Sequence, residues 1–188
     1  VNKFASGIGW QLEIVSGGNL KATLNATTLQ AGSYLDGAWH QARLCIDREN
    51  GLAHLFGDGT KIKTTDIATL GSTDNAANTL FGTNPTSASF FNGTIQEIRI
   101  SNVSRSAEDY IKPVYQFPDD PSTYLLLHFN EGAGNIAYDY SEKRHRATLY
   151  GSPTWTDGDM EVSPVTIARE QIWLVLDEDP VLTSFMTN

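Results

Sequence analysis

Apolar and polar residues in this chain alternate in short runs with a period close to two, the pattern of half-buried strands. Trp10 to Val15 forms one run, closed by Ser16-Gly17-Gly18-Asn19, which is hairpin-turn chemistry. Leu20, Ala22 and Leu24 then alternate with Lys21, Thr23 and Asn25. Between Trp39 and Asp47, His40, Ala42, Leu44 and Ile46 share one face, and Trp39, Gln41, Arg43 and Cys45 share the other. That polar second face predicts an antiparallel strand solvated on one side. Leu52 to Phe56, a Gly57-Asp58-Gly59 turn and Lys61 to Thr65 follow, then Leu80-Phe81 and Phe90 to Ser101. Tyr124 to Phe129, Ala147 to Tyr150 and Ile172 to Leu176 complete the predicted strands; the last is apolar on both faces, as in a strand covered on both sides. The one predicted helix is Ser106 to Lys112, with Ser106 as cap, Asp109 three residues on, and Pro113 forbidding continuation. Many strands with turn signals every 8–12 residues or so predict an all-β sandwich or barrel.

Length and composition narrow the function classes. At 188 residues and 40% hydrophobic content the chain can bury a core, which excludes wholesale disorder. No apolar run approaches the length of about 20 residues that a helical membrane span needs. A net charge of −9 without a Lys/Arg stripe argues against nucleic acid as a partner. The single cysteine, Cys45, excludes an intrachain disulfide framework and a thiolate zinc cluster, and reads as a buried structural thiol. The first residue is Val1, with no methionine and no signal-peptide pattern, so the expectation is a chain processed or excised from something longer.

Two blocks resemble the laminin G-like, concanavalin A-like jelly-roll family. Asp36-Gly37-Ala38-Trp39-His40-Gln41-Ala42 resembles its "DG-x-WH-x-VA" strand, with the family's short strand pair following as Leu52 to Gly59. Phe91-Asn92-Gly93-Thr94-Ile95-Gln96-Glu97-Ile98-Arg99-Ile100-Ser101-Asn102 resembles the closing "F-x-G-x-IDEVRI-x-N" strand. A third block, Leu125 to Gly134 with Ala137-Tyr138-Asp139-Tyr140-Ser141, is similar to the family's opening strand, and Ala147 to Trp155 continues it. Here the opening block follows the closing one. The resemblance implies an antiparallel jelly-roll β-sandwich. The chain is then either a cut from a tandem array or one sandwich closed in permuted or strand-completed order. Two half-domains would each expose a severed core, which burial at about 25 cal/mol per Å² opposes. The expected organisation is a sandwich over residues 1–160 and a C-terminal extension over 161–188, an additional strand or an assembly arm.

Chemistry is mostly sought and not found. Related retaining glycoside hydrolases need two carboxylates about 5–5.5 Å apart. Asp177 and Asp179 have the alternate spacing but sit in an acidic strand end beside Pro180, while Glu97 has Arg99, not an acid, two residues on. No triad, nucleophile elbow or phosphate loop is present, and the four histidines are scattered. No catalytic residue is assigned. The resemblance implies a structural Ca²⁺ on loop oxygens, for which Asp139 is the matching ligand; no other cofactor is implied. Gln96 in place of the closing aspartate, and Glu142-Lys143-Arg144-His145-Arg146 in place of a Gly/Asn-rich stretch, weaken such a site. Trp10, Tyr34, Tyr138, Tyr140 and Trp155 are the aromatics available to stack on sugar. The reading is a non-enzymatic binding or adhesion module on an extracellular or particle surface, recognising glycan or protein. The alternative is a structural or decoration subunit of a virion, tail fibre or surface filament, assembling with neighbouring subunits. A glycoside hydrolase ranks last.

Overall fold

The computed structural model describes residues 1–84, 89–105, 116–156 and, as backbone, 171–177. Four strands open the chain: β1 (Asn2–Ala5), β2 (Ile8–Ile14), β3 (Leu20–Leu24) and β4 (Thr27–Ala31). They form an antiparallel sheet in sequence order. Register places Trp10 opposite Leu24, Leu12 opposite Ala22, and Ala22 opposite Leu29, so one face is continuously apolar. Trp10, Leu12, Leu20, Ala22, Leu24 and Leu29 are all buried there. The β2–β3 turn closes with Val15 N–H donating to the Asn19 carbonyl (3.0 Å), and Gly17 and Gly18 take φ of +84° and +81°. Those are left-handed angles that glycine adopts without a Cβ penalty.

The second sheet holds β5 (Trp39–Asp47), β6 (Leu52–Gly57), β7 (Thr60–Asp66), β8 (Ile98–Ser101) and β9 (Thr123–Leu127). A hairpin of β10 (Ile136–Tyr138) and β11 (Arg146–Thr148) follows, and β12 (Gln171–Asp177) returns to the second sheet. Its strand order is β7-β6-β5-β12-β8-β9. β12 runs parallel to both β5 and β8, whereas every other ladder is antiparallel. Ala42, Leu44, Ile46, Ala53, Leu55, Ile98, Ile100, Leu125 and Leu127 join the residues of the first sheet in one apolar core. The molecule is an all-β sandwich, and no helix occurs among the described residues.

Three expectations change. The second face of β5 is not solvated: Trp39, Gln41, Arg43 and Cys45 are all buried. Chain crossing over the sheet covers them. Arg43 donates to the Arg105 carbonyl (2.9 Å) and lies 3.7 Å from the Phe56 ring centroid, and Cys45 Sγ is 2.8 Å from Ser104 Oγ. The run Phe90 to Ser101 is strand only from Ile98, because Phe90 pairs with Thr83 in an isolated bridge and Gly93 interrupts the extended run. Leu80-Phe81 likewise reduces to one bridge, Leu80 to Asn2. Conversely β1, β4 and β10 carried too little apolar alternation to be predicted. The helix expected at Ser106 to Lys112 lies outside the described residues.

Candidate functional site

The opening-like block builds the most elaborate polar site among the described residues. Tyr138, Asp139 and Tyr140 lie where β10 runs on to bridge β9: Asp139 pairs with Leu127, and Tyr140 N–H donates to the Leu126 carbonyl (2.8 Å). In extended backbone successive side chains point to opposite sides. Ala137, Asp139 and Ser141 therefore go inward and are buried, while Tyr138 and Tyr140 go outward, 50% and 37% exposed.

Asp139 is a hub. Its Oδ1 accepts the backbone N–H of Leu126 (2.9 Å) and of Ser141 (2.8 Å). Its Oδ2 accepts the Ser141 hydroxyl (2.8 Å), the His145 backbone N–H (3.0 Å) and His145 Nδ1 (2.8 Å). Burial alone would push this carboxyl up; the donors from Leu126, Ser141 and His145 outweigh it and hold the group below the ordinary carboxylate range. The residue expected as a Ca²⁺ ligand thus has both oxygens occupied by hydrogen-bond donors. Arg144 and Arg146 line the cleft beside it, and no group of three or more His, Cys, Asp or Glu suited to a metal occurs among the described residues. This donor set does not fit Ca²⁺, which needs six to eight oxygens.

Surrounding side chains brace Tyr140. Tyr140 packs against His128 with ring centroids 4.6 Å apart and donates its hydroxyl to Asn130 Oδ1 (3.0 Å). Behind it, His128 Nδ1 donates to Glu97 Oε1, and Phe117 N–H donates to both Glu97 oxygens (2.9 and 3.1 Å). Glu97 and Arg99, two residues apart on β8 and its approach, are both buried. Burial raises the Glu97 carboxyl, with His128 and Phe117 partly opposing. Glu131 turns to accept the Tyr138 N–H (2.7 Å). Tyr138, Tyr140, Arg144, His145 and Arg146 line a shallow cleft over Asp139, with Arg146 directly across the ladder from Tyr138.

Other sequence candidates are placed elsewhere. Trp10 is in the core, Tyr34 is half-buried edge-on to His40 (5.0 Å), and Trp155 is half-buried with Nε1 on the Gly134 carbonyl (2.9 Å). Asp177 ends β12 at the register of Cys45, and Asp179 lies outside the described residues. Sequence reasoning missed a second cluster, at the start of β5 where the β6–β7 turn meets it. His40 Nε2 is 2.7 Å from Asp36 Oδ1 and its Nδ1 is 2.8 Å from Asp58 Oδ2. A neutral imidazole has one N–H, so two carboxylates at these distances call for the imidazolium. The Gly-Asp-Gly turn was the available signal, since Asp58 at φ +49° faces back toward β5 and accepts the Gln41 N–H (2.8 Å).

A two-sheet, mostly antiparallel sandwich with an aromatic-lined cleft beside one sheet edge belongs to the class of concanavalin A-like folds. The family model described as the Concanavalin A-like lectin/glucanases superfamily, of laminin G type, matches residues 2–109. The chain belongs to that family. Comparison with curated proteins and with solved structures gives no match.

Proposed function

We propose that the chain is a carbohydrate-binding module of a surface-exposed protein, acting without catalysis, with Tyr138 and Tyr140 as its sugar-stacking face. The observation that carries this reading is their outward projection on either side of the buried Asp139 hub. Sugar rings present C–H faces to aromatics and hydroxyls to fixed polar groups, and an aromatic ring already held in place, as Tyr140 is, loses little entropy on binding. Asn130 stands at the Tyr140 hydroxyl to supply such a group. Hydrolysis finds less support. Asp36 and Asp58 are held on different ring nitrogens of His40, with the imidazole between them, and Glu97 is buried. A glycan array tests the proposal. Binding that drops about tenfold or more in Tyr138→Ala/Tyr140→Ala, with no reducing-sugar release, is expected. Binding untouched by the double variant, or turnover abolished by changing one carboxylate, overturns it.

A second reading, a building block of a larger assembly, is favoured by β12. A late strand fills the centre of the second sheet, and a strand from a neighbouring chain could make the same ladder. The register opposes Asp177 to Cys45, so Asp177→Cys oxidised in solution distinguishes the two. Cross-linked monomers favour the module closed on itself; cross-linked dimers and multimers favour assembly.

A further inference from the structure

Asparagine followed by glycine occurs twice in the chain, at Asn50-Gly51 and at Asn92-Gly93. The pair is chemically distinctive, because glycine has no Cβ to shield its main-chain nitrogen from the preceding side-chain amide. The fold treats the two copies differently. In the β5–β6 turn, Asn50 Nδ2 donates to Asp47 Oδ2 (2.8 Å) and Asn50 N–H donates to Asp47 Oδ1 (3.0 Å). Gly51 N–H donates to the Arg48 carbonyl (3.4 Å), and the Gly51 carbonyl accepts the Ile67 N–H (2.7 Å). Amide, nitrogen and carbonyl of that pair are all tied down. Asn92 is exposed, and neither its side chain nor the Gly93 N–H makes a hydrogen bond among the described residues. The chain is anchored on either side of this second pair: Phe91 N–H sits on the Gly82 carbonyl (2.8 Å), and Thr94 and Ile95 are buried.

We infer that Asn92 is a site of self-modification, where the chain converts its own neutral amide into a carboxylate with water as the co-reactant. The Gly93 nitrogen gives up its proton to solvent base and attacks the Asn92 side-chain carbonyl carbon. A C–N bond forms, the Cγ–Nδ2 bond breaks, and ammonia leaves a cyclic imide. Water then opens the ring at one of its two carbonyls. Opening on the main-chain side nitrogen–Cγ bond restores the ordinary backbone with aspartate; opening at the main-chain carbonyl leaves isoaspartate, whose backbone is one carbon longer. No oxidant or reductant is involved. Either product adds one negative charge to a chain already at −9. The charge lands beside Phe91, which lines a cleft with Val1, Leu12 and Ile95, and the longer backbone falls between the anchored Phe91 and the buried Thr94. At Asn50 the same reaction must first break the hydrogen bonds to Asp47 and Arg48, and each bond that has to break slows it. This chemistry needs no sugar at the tyrosine cleft.

The test incubates the full chain at mildly alkaline pH, folded in buffer and, in parallel, unfolded in guanidinium chloride. Peptide mass spectrometry follows the amide-to-acid conversion at each asparagine, and an isoaspartyl methyltransferase with labelled methyl donor reports isoaspartate. In the folded chain Asn92 should convert about tenfold or more faster than Asn50, whereas in guanidinium the two should convert at comparable rates. Gly93→Ala, by placing a Cβ next to the attacking nitrogen, should slow conversion at Asn92. Asp47→Ala, which frees the Asn50 amide, should raise Asn50 conversion toward that of Asn92, with melting curves confirming that both variants are folded. Asn50 converting as fast as Asn92 in the folded chain overturns the inference. So does an Asn92 that converts in guanidinium but stays intact in the folded chain, or one that converts in neither.

Discussion

Asp139 shows how one side chain can hold the loop that joins β10 to β11. Replacing it by Asn turns an acceptor of five hydrogen bonds into a group that must present an NH₂ to one of those donors. Asp139→Asn should cost about 2–4 kcal/mol in denaturant unfolding. Because the folded carboxyl sits below its ordinary value, its contribution is complete above the unfolded pKa near 3.8 and is lost as pH falls through the lower folded value. The variant should therefore show a flatter acid limb below about pH 4. Melting temperatures in excess Ca²⁺ and in EDTA should coincide, since the carboxylate is filled by donors; a Ca²⁺-dependent rise would place a cation there instead. His40 behaves in the opposite sense. Burial lowers its pKa, but its hydrogen bonds to the Asp58 and then the Asp36 carboxylate outweigh that and raise it. A raised histidine stabilises fully below its unfolded value near 6.5, and the gain disappears as pH rises through the folded value. His40→Gln should remove that alkaline decline from the melting temperature measured between pH 5 and 9. Tyr34, the other titratable group against the ring, is itself raised and stays neutral through that range.

Elements formed where local pattern and tertiary cover agreed. The alternation of Leu20, Ala22 and Leu24 was legible because the far side of β3 is only half-buried. β5 was legible as a strand, but its second face was not legible as buried, because Gln41 and Arg43 gave no local sign of the chain that crosses over them. The three strands that went unpredicted are short, and β4 has only Leu29 buried. Backbone proximity gives a sharper case in the β1–β2 hairpin. A Cβ on Gly9, at φ +131°, would stand 2.0 Å from the Lys3 carbonyl oxygen and 2.9 Å from Phe4 Cα. Both atoms are backbone and cannot swing away. Gly9→Ala should destabilise by more than about 2 kcal/mol, whereas Gly7→Ala, with open space but φ +81°, should cost about 1 kcal/mol or a little more. Paired thermal or urea unfolding of the two variants checks the contrast.

At the scale of the whole molecule, the segment after residue 116 supplies structure to the part before it. β9 pairs with β8 through Ile98–Leu127, Arg99–Leu126 and Ile100–Leu125, and Leu125 and Leu127 enter the common core. β12 separates β5 from β8 over seven and four register pairs. A product ending at Lys112 would lose both strands, leaving ladder edges of β5 and β8 unpaired and apolar side chains uncovered. It should aggregate or melt without cooperativity, and residues 123–188 added as a separate polypeptide should restore a soluble complex. A soluble, cooperatively melting 1–112 product would show instead that the first part stands alone. Because β12 lies inside the second sheet, we propose a folding unit that reaches past residue 160 and includes β12.

The sequence by itself determined the class of fold, because a period of two and Gly/Asn/Asp turns are local properties that survive without knowledge of neighbours. It also determined which side chains flank one another in extended backbone: Tyr138 and Tyr140 had to share a side opposite Asp139. Tertiary structure alone decided which side was wet. Solvent exposure depends on what packs above a strand, so the same alternation left Tyr138 exposed and Arg43 buried. Partnering was equally non-local. Asp139 meets His145 across a turn, Glu97 meets His128 from thirty-one residues away, and His40 gathers two carboxylates from separate loops. Hydrogen bonds of that kind follow from how strands and the turns beside them are brought together in the folded sheet, and the residue pattern along the chain does not encode them.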